Sequence, residues 1–172
     1  SYFSKDGSVA EEITFSGGKR DGRSTVWLTP EERQEEKFYK NGKLDGPSTF
    51  WENGYRSTMT TYKSDSPEGP WVIWFSNSDQ IKEQGFHQKG IREGLTTYYY
   101  EDGTMQREGF FKEGLPDGMW TYWNKEGEKD FDFDFGSGLQ HISLEDLVER
   151  ESTFYKLGED TPFTGIITQE NP

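Results

Sequence analysis

A short motif recurs along the chain and constrains its fold more than any other feature. A glycine that follows Asp or Glu stands at Gly22, Gly46, Gly69, Gly94 and Gly118, at intervals of 24, 23, 25 and 24. The segments read DGRSTVW, DGPSTFW, EGPWVIW, EGLTTYY and DGMWTYW. Four positions after each glycine comes a bulky residue (Val26, Phe50, Ile73, Tyr98, Tyr122). Five positions after it comes an aromatic ring (Trp27, Trp51, Trp74, Tyr99, Trp123). A unit of this size cannot bury its own apolar face, so neighbouring units must stack.

A second aromatic register runs between these anchors through Phe15, Phe38, Tyr62, Phe86, Phe110 and Phe133, spaced 23, 24, 24, 24 and 23. Polar turns follow most of them, as in FYKNGKLDG, FHQKGIREG and FFKEGLPDG, and further turn signals stand at ENG 52–54, EDG 101–103 and KEG 125–127. Asn-Gly and Asp-Gly supply the positive φ angles that tight hairpin turns need. Each unit therefore reads as strand, glycine turn, strand, glycine turn, with strands of about 5 or 6 residues rich in Trp, Tyr, Phe and Thr. No sustained 3.6-residue apolar stripe competes with this reading. The expected fold is all-β: an elongated single-layer antiparallel sheet of tandem β-hairpins, with equivalent rings in rows, Trp or Tyr over Trp or Tyr.

Composition fits that sheet and excludes several function classes. The chain has 8 Leu, 7 Ile and 4 Val but 13 Phe, 9 Tyr and 6 Trp. A low aliphatic content with a charge of −13 normally signals disorder, yet disordered chains are poor in Trp and Tyr. One layer needs few aliphatics. The acidity argues against nucleic acid or anionic lipid as the main partner and suits a basic protein. The absence of Cys excludes disulfides and thiolate metal sites. No run of about 18 apolar residues codes a membrane insertion. The opening SYFSKDGSVAEE is not a basic-then-apolar signal, so the compartment, cytoplasmic or exported, stays open, as does the oligomeric state.

The units GFFKEGLPDGMWTYWNKEGEK and KFYKNGKLDGPSTFWENGYR resemble the MORN-repeat family. They are most similar to its bacterial variant, the YwqK-family antitoxin-like proteins. The resemblance covers residues 2–135, with departures at 28–37 and 55–67. It implies a hairpin-repeat fold used for protein contacts, with no catalytic residues and no cofactor.

The pattern divides the chain into a repeat array over 1–138, a linker with a short helix over 139–151, and a C-terminal segment over 152–172. SLEDLVER at 143–150 reads as the helix, with Ser143 as cap and Leu144, Leu147 and Val148 on one face. FYKLG at 154–158 repeats FYKNG at 38–42, so 152–172 is either a capping hairpin or the start of a second array.

Catalysis has little support. His87 and His141 fit no metal or triad spacing, and His87 stands where other units have Tyr39 or Phe111, a surface position. In DFDFDF, Asp130, Asp132 and Asp134 alternate with Phe131, Phe133 and Phe135. That pattern reads as a charge-guarded terminal strand, with a cation site or basic contact as the functional alternative. A single layer cannot bury both faces, so one aromatic face is expected to bind a partner. The candidate binding residues are Trp51, Trp74, Tyr98, Tyr99, Tyr100 and Trp123. The expected function is a non-enzymatic scaffold for protein–protein contacts, an antitoxin- or immunity-like binder of a basic partner being one version. The alternative is an exported carbohydrate- or envelope-associated module stacking aromatic rows on sugar rings.

Overall fold

The structure, a computed structural model, describes residues 2–3, 9–136, 140–143, 147–150, 153–156 and 165–168. Thirteen strands form one open sheet. They are β1 (Tyr2–Phe3), β2 (Val9–Ser16), β3 (Lys19–Thr29), β4 (Glu32–Lys40), β5 (Lys43–Glu52), β6 (Tyr55–Lys63) and β7 (Ser66–Trp74). Then come β8 (Ile81–Gln88), β9 (Ile91–Arg92), β10 (Gly94–Tyr99), β11 (Met105–Lys112), β12 (Leu115–Trp123) and β13 (Lys129–Asp134). Each strand pairs antiparallel with its sequence neighbours; only β9 leaves the path, pairing β8 while β8 also pairs β10.

The strands are longer than expected because the acidic-Gly glycines do not end them. Gly22, Gly46, Gly69 and Gly118 lie inside β3, β5, β7 and β12. The tight turns fall instead at Asn41–Gly42, Asn53–Gly54, Lys89–Gly90, Glu113–Gly114 and, without glycine, Ser64–Asp65. Both residues of each turn have positive φ, the geometry that matches strand twist. The in-strand glycines are bulges. Lys37 pairs Ser48 and Tyr39 pairs Leu44, so three residues centred on Gly46 face Phe38 alone. Gly46 has φ +127°, and a Cβ there would stand 2.9 Å from the Cβ of Phe38. Gly22 against Thr14 and Gly69 against Thr61 repeat the arrangement.

The bulge gives the acidic residue a task. The carboxylates of Asp21, Asp45, Glu68 and Glu93 accept the backbone N–H of Asn41, Ser64, Lys89 and Glu113 at 3.0, 3.4, 2.7 and 2.9 Å. Each acceptor thus holds the first positive-φ residue of a later turn. A main-chain bond reinforces each clasp, from Gly42, Asp65, Gly90 and Gly114 to the carbonyls of Arg20, Leu44, Pro67 and Arg92.

Pairing assigns side chains to two faces. The packed face carries the core: Ser24, Ser48, Trp71, Thr96 and Trp120 are buried, with Trp71 and Trp120 each 3% exposed. Phe111 and Phe135 meet Trp120 edge-on, with centroids 5.3 and 5.7 Å away. Glycines opposite the large rings make room, as Gly85 does for Trp71.

Two expectations about the rings are corrected. Trp51 and Trp74 stand on β5 and β7 with β6 between them, about 10 Å apart, so indole does not stack on indole; Arg56 of β6 fills the gap. The second aromatic register is also not one row. Phe15, Tyr62 and Phe133 pair with residues of the packed face, whereas Phe38, Phe86 and Phe110 lie on the other, open face. The face follows each strand's own pairing and not the interval, since Phe38 to Tyr62 changes face at 24 residues while Phe86 to Phe110 keeps it at 24.

Four further strands form two separate pairs. β14 (Gln140–Ser143) runs parallel to β17 (Gly165–Thr168), and β15 (Leu147–Arg150) runs antiparallel to β16 (Thr153–Lys156). The helix expected over 143–150 is therefore absent from the described residues; 144–146 lie outside them. An eight-residue helix gains little without tertiary packing, while strand pairing satisfies the same backbone groups. The break expected at 136–138 falls, apart from Gly136, outside the described residues.

Candidate functional site

The six aromatic candidates separate. Trp51 and Trp74 lie on the open face, in a row that alternates with arginine across β3 to β7: Trp27, Arg33, Trp51, Arg56, Trp74. The Arg33 guanidinium stands 5.1 Å from the Trp51 ring and that of Arg56 4.7 Å from Trp74, which is 8% exposed. Arg56 is held in turn by Asp79 at 3.4 Å. Both indoles are thus covered by the chain's own cations. Tyr99 shares this face, its hydroxyl accepting from Gln84 Nε2 at 2.8 Å. Trp123 pairs with Lys129, and its carbonyl accepts from the Tyr100 hydroxyl at 3.0 Å. Tyr98 lies on the packed face, 6.1 Å from Trp120, with Arg107 4.1 Å from its ring and Arg92 donating to its hydroxyl at 3.0 Å.

What the open face exposes is a neighbouring row. Pro70 pairs Phe86, and Leu95 pairs Phe110. Met119 stands in the part of β12 opposite Gly109 and pairs Asp134. Phe86, Leu95, Phe110 and Met119 are 45, 46, 55 and 56% exposed, so these large apolar side chains project to solvent from four strands side by side. Sequence reasoning noted Phe86 and Phe110 by their spacing but placed them in a row with residues of the opposite face. Leu95 and Met119, one position after Gly94 and Gly118, carried no aromatic signal.

Beneath this row the sheet opens. β8 and β10 pair only through Gln84–Thr97 and Glu83–Tyr98, because Glu93 turns back to donate its N–H to the Phe86 carbonyl at 3.0 Å. An open recess of about 580 Å³ lies there, lined by Pro70, Trp71, Gly85, Phe86 and Leu95. Gln84, Gln88 and Glu93 supply its polar wall.

Charge on the open face is mainly negative around the row. Glu68 and Lys112 stand two residues to one side of it along the strands, and Glu108 and Asp132 two residues to the other; Glu93 lies beside Phe86, and Asp117 directly opposite Phe110. Lys129 bonds Asp132 at 2.6 Å, and this bond, with one from the Thr121 hydroxyl, holds the Asp132 carboxyl below its ordinary value. The three aspartates of DFDFDF thus share the open face, while Phe131 stacks on Tyr122 at 4.5 Å on the packed face. Among the described residues no group of three or more His, Asp or Glu is placed to hold a metal ion. His87, read as a surface residue, is half-buried on the packed face, 5.6 Å from Trp71. Burial, aided by the Arg92 charge, pushes its pKa down.

No family model matches the chain, and no curated protein matches it. Among solved structures, the chain is similar to a crystal structure of a mutant of S. aureus TarM in complex with fondaparinux, alpha-GlcNAc-glycerol and UDP. The identity is 7%, the TM-score 0.37, and the alignment covers 59% of this chain and 20% of that one. At that score the likeness carries no argument about function. No helix among the described residues is long and apolar enough to cross a membrane.

Proposed function

We propose that the chain is a non-catalytic, MORN-like hairpin-repeat scaffold that binds another protein through the open face of its sheet. The observation that carries this reading is the exposed row Phe86, Leu95, Phe110 and Met119, set over an opening in the sheet and bordered by carboxylates. Large apolar side chains that surround a recess are the usual anchors of protein interfaces. The charge of −13 favours a basic partner and speeds its encounter. An antitoxin- or immunity-like role is one setting for such a contact. The sugar-stacking alternative has less support, because the indoles of Trp51 and Trp74 lie under Arg33 and Arg56.

The test pairs affinity capture from the native host, read by mass spectrometry, with a glycan array. A basic protein retained at about 0.15 M salt and an array without hits is the expected result. Saccharide binding without a protein partner overturns the proposal.

A further inference from the structure

The exposed row has a shape as well as a composition, and the shape selects an occupant. Its residues come from successive strands, so the row runs across the strands along the sheet. From Pro70 on β7 to Met119 on β12 there are four strand spacings, about 19 Å at ~4.8 Å each. Glu68 on one side and Glu108 and Asp132 on the other lie two residues away, about 13 Å apart at ~3.3 Å per residue, while Glu93 and Asp117 stand closer to the row. A track one side chain wide, bordered by negative charge at that separation, matches an α-helix, whose diameter with side chains is about 10–12 Å. The helix length that spans the row is about 13 residues at ~1.5 Å each.

We infer that this track docks a cationic amphipathic helix of a partner protein, apolar face down on Phe86, Leu95, Phe110 and Met119, with lysines or arginines reaching the carboxylates on both sides. The inference rests on the scaffold reading and names the partner's binding segment. Long basic side chains keep their stems on apolar surface while the charges reach the border, and apolar anchors at i, i+3, i+4 and i+7 meet the row. The recess between β8 and β10, with Trp71 and Gly85 in its lining, takes the central anchor. A second copy does not fit, because it brings another −13 of charge. The chain's own residues 137–172 do not fit either: they hold seven acidic and two basic side chains.

The test uses the full chain and two synthetic helices of about 14 residues, one of leucine and lysine with leucine at i, i+3, i+4 and i+7, the other with glutamate in place of lysine. Titration calorimetry reads the affinity. The lysine helix is expected to bind and the glutamate helix not. The double change Leu95→Ser with Phe110→Ser alters two side chains that are about half exposed and keeps the net charge, and it is expected to weaken the lysine helix about tenfold or more, the loss of two apolar anchors. Glu108→Lys is expected to weaken it about threefold at low salt, less at about 0.5 M salt. An unchanged affinity in the double variant, with its fold verified by circular dichroism, overturns the inference, since binding is then charge attraction elsewhere. Equal binding of the glutamate helix overturns it too, as does a dimer in the ultracentrifuge that the double variant dissolves. If the native partner is captured equally by the double variant, the scaffold reading stands and this site fails. If the lysine helix binds as expected and no partner is captured, the site stands and the scaffold reading fails.

Discussion

A Cβ added to Gly85 would lie 2.8 Å from Cζ2 of the Trp71 indole and 2.7 Å from the hydroxyl of Thr96. Gly85 has ordinary strand φ, so its glycine is required by space alone. In a single layer the core consists of such cross-strand fits, a large ring over a position with no side chain. Gly109 against Trp120 is the second instance.

Gly85→Ala and Gly109→Ala are accordingly expected to overpack the layer and cost about 1–3 kcal/mol each. Urea unfolding checks this. Alanine at Gly54, where nothing lies within 4 Å of the added carbon, meets no such steric clash and reports only its positive φ of 82°; equal losses at all three sites would refute the steric account.

The carboxylate clasps should be measurable one at a time. Asp45→Ala and Glu68→Ala each leave a turn N–H without its acceptor and are expected to cost about 1 kcal/mol. Glu68→Gln keeps an acceptor oxygen and should lose less. Thermal unfolding of the three variants decides the order.

Trp74 and Arg56 separate burial from cation–π attraction. Trp74→Ala removes an indole only 8% exposed and should cost about 3 kcal/mol or more. Arg56→Ala removes an exposed cation and should cost under about 1 kcal/mol. Chemical denaturation of both variants tests the ranking.

His87 gives the stability a pH dependence of known sign. Burial lowers its native pKa below the ordinary 6.5, so the unfolded chain binds the proton more readily. Its contribution is complete above 6.5 and declines as pH falls below that value towards the native pKa. His87→Phe, which places there the residue found at Phe111, is expected to flatten the fall of the urea midpoint as pH drops below 6.5. The acidic limb below about pH 4 should persist, because Asp102, lowered by the Thr104 N–H, and Asp132 have native pKa values below their ordinary ones and lose their contribution only there.

Much of the fold was legible because glycine and aromatic spacing report local chemistry. Asn41–Gly42 and Asn53–Gly54 read as hairpin turns and are hairpin turns, since positive φ at two successive residues is a local demand. Gly46 looked the same in sequence and proved to be a bulge, because what holds its positive φ is a neighbouring strand, at Phe38. The helix read from Ser143, Leu147 and Val148 gave way to strand pairing for a similar reason: a short apolar stripe does not state which partner will satisfy its backbone.

Sequence by itself determined that this chain would be a β-meander rich in rings and poor in aliphatics, with strands in chain order. Nearly every strand of the sheet pairs with a near neighbour, so little long-range information was needed. Only the tertiary structure decided which rings are free. Side chains alternate between faces every residue, and a bulge shifts them across. Trp51 and Trp74 therefore lie beneath arginines of the intervening strands, while Phe86, Leu95, Phe110 and Met119 stand in the open. That difference is set by register, which no single strand carries alone.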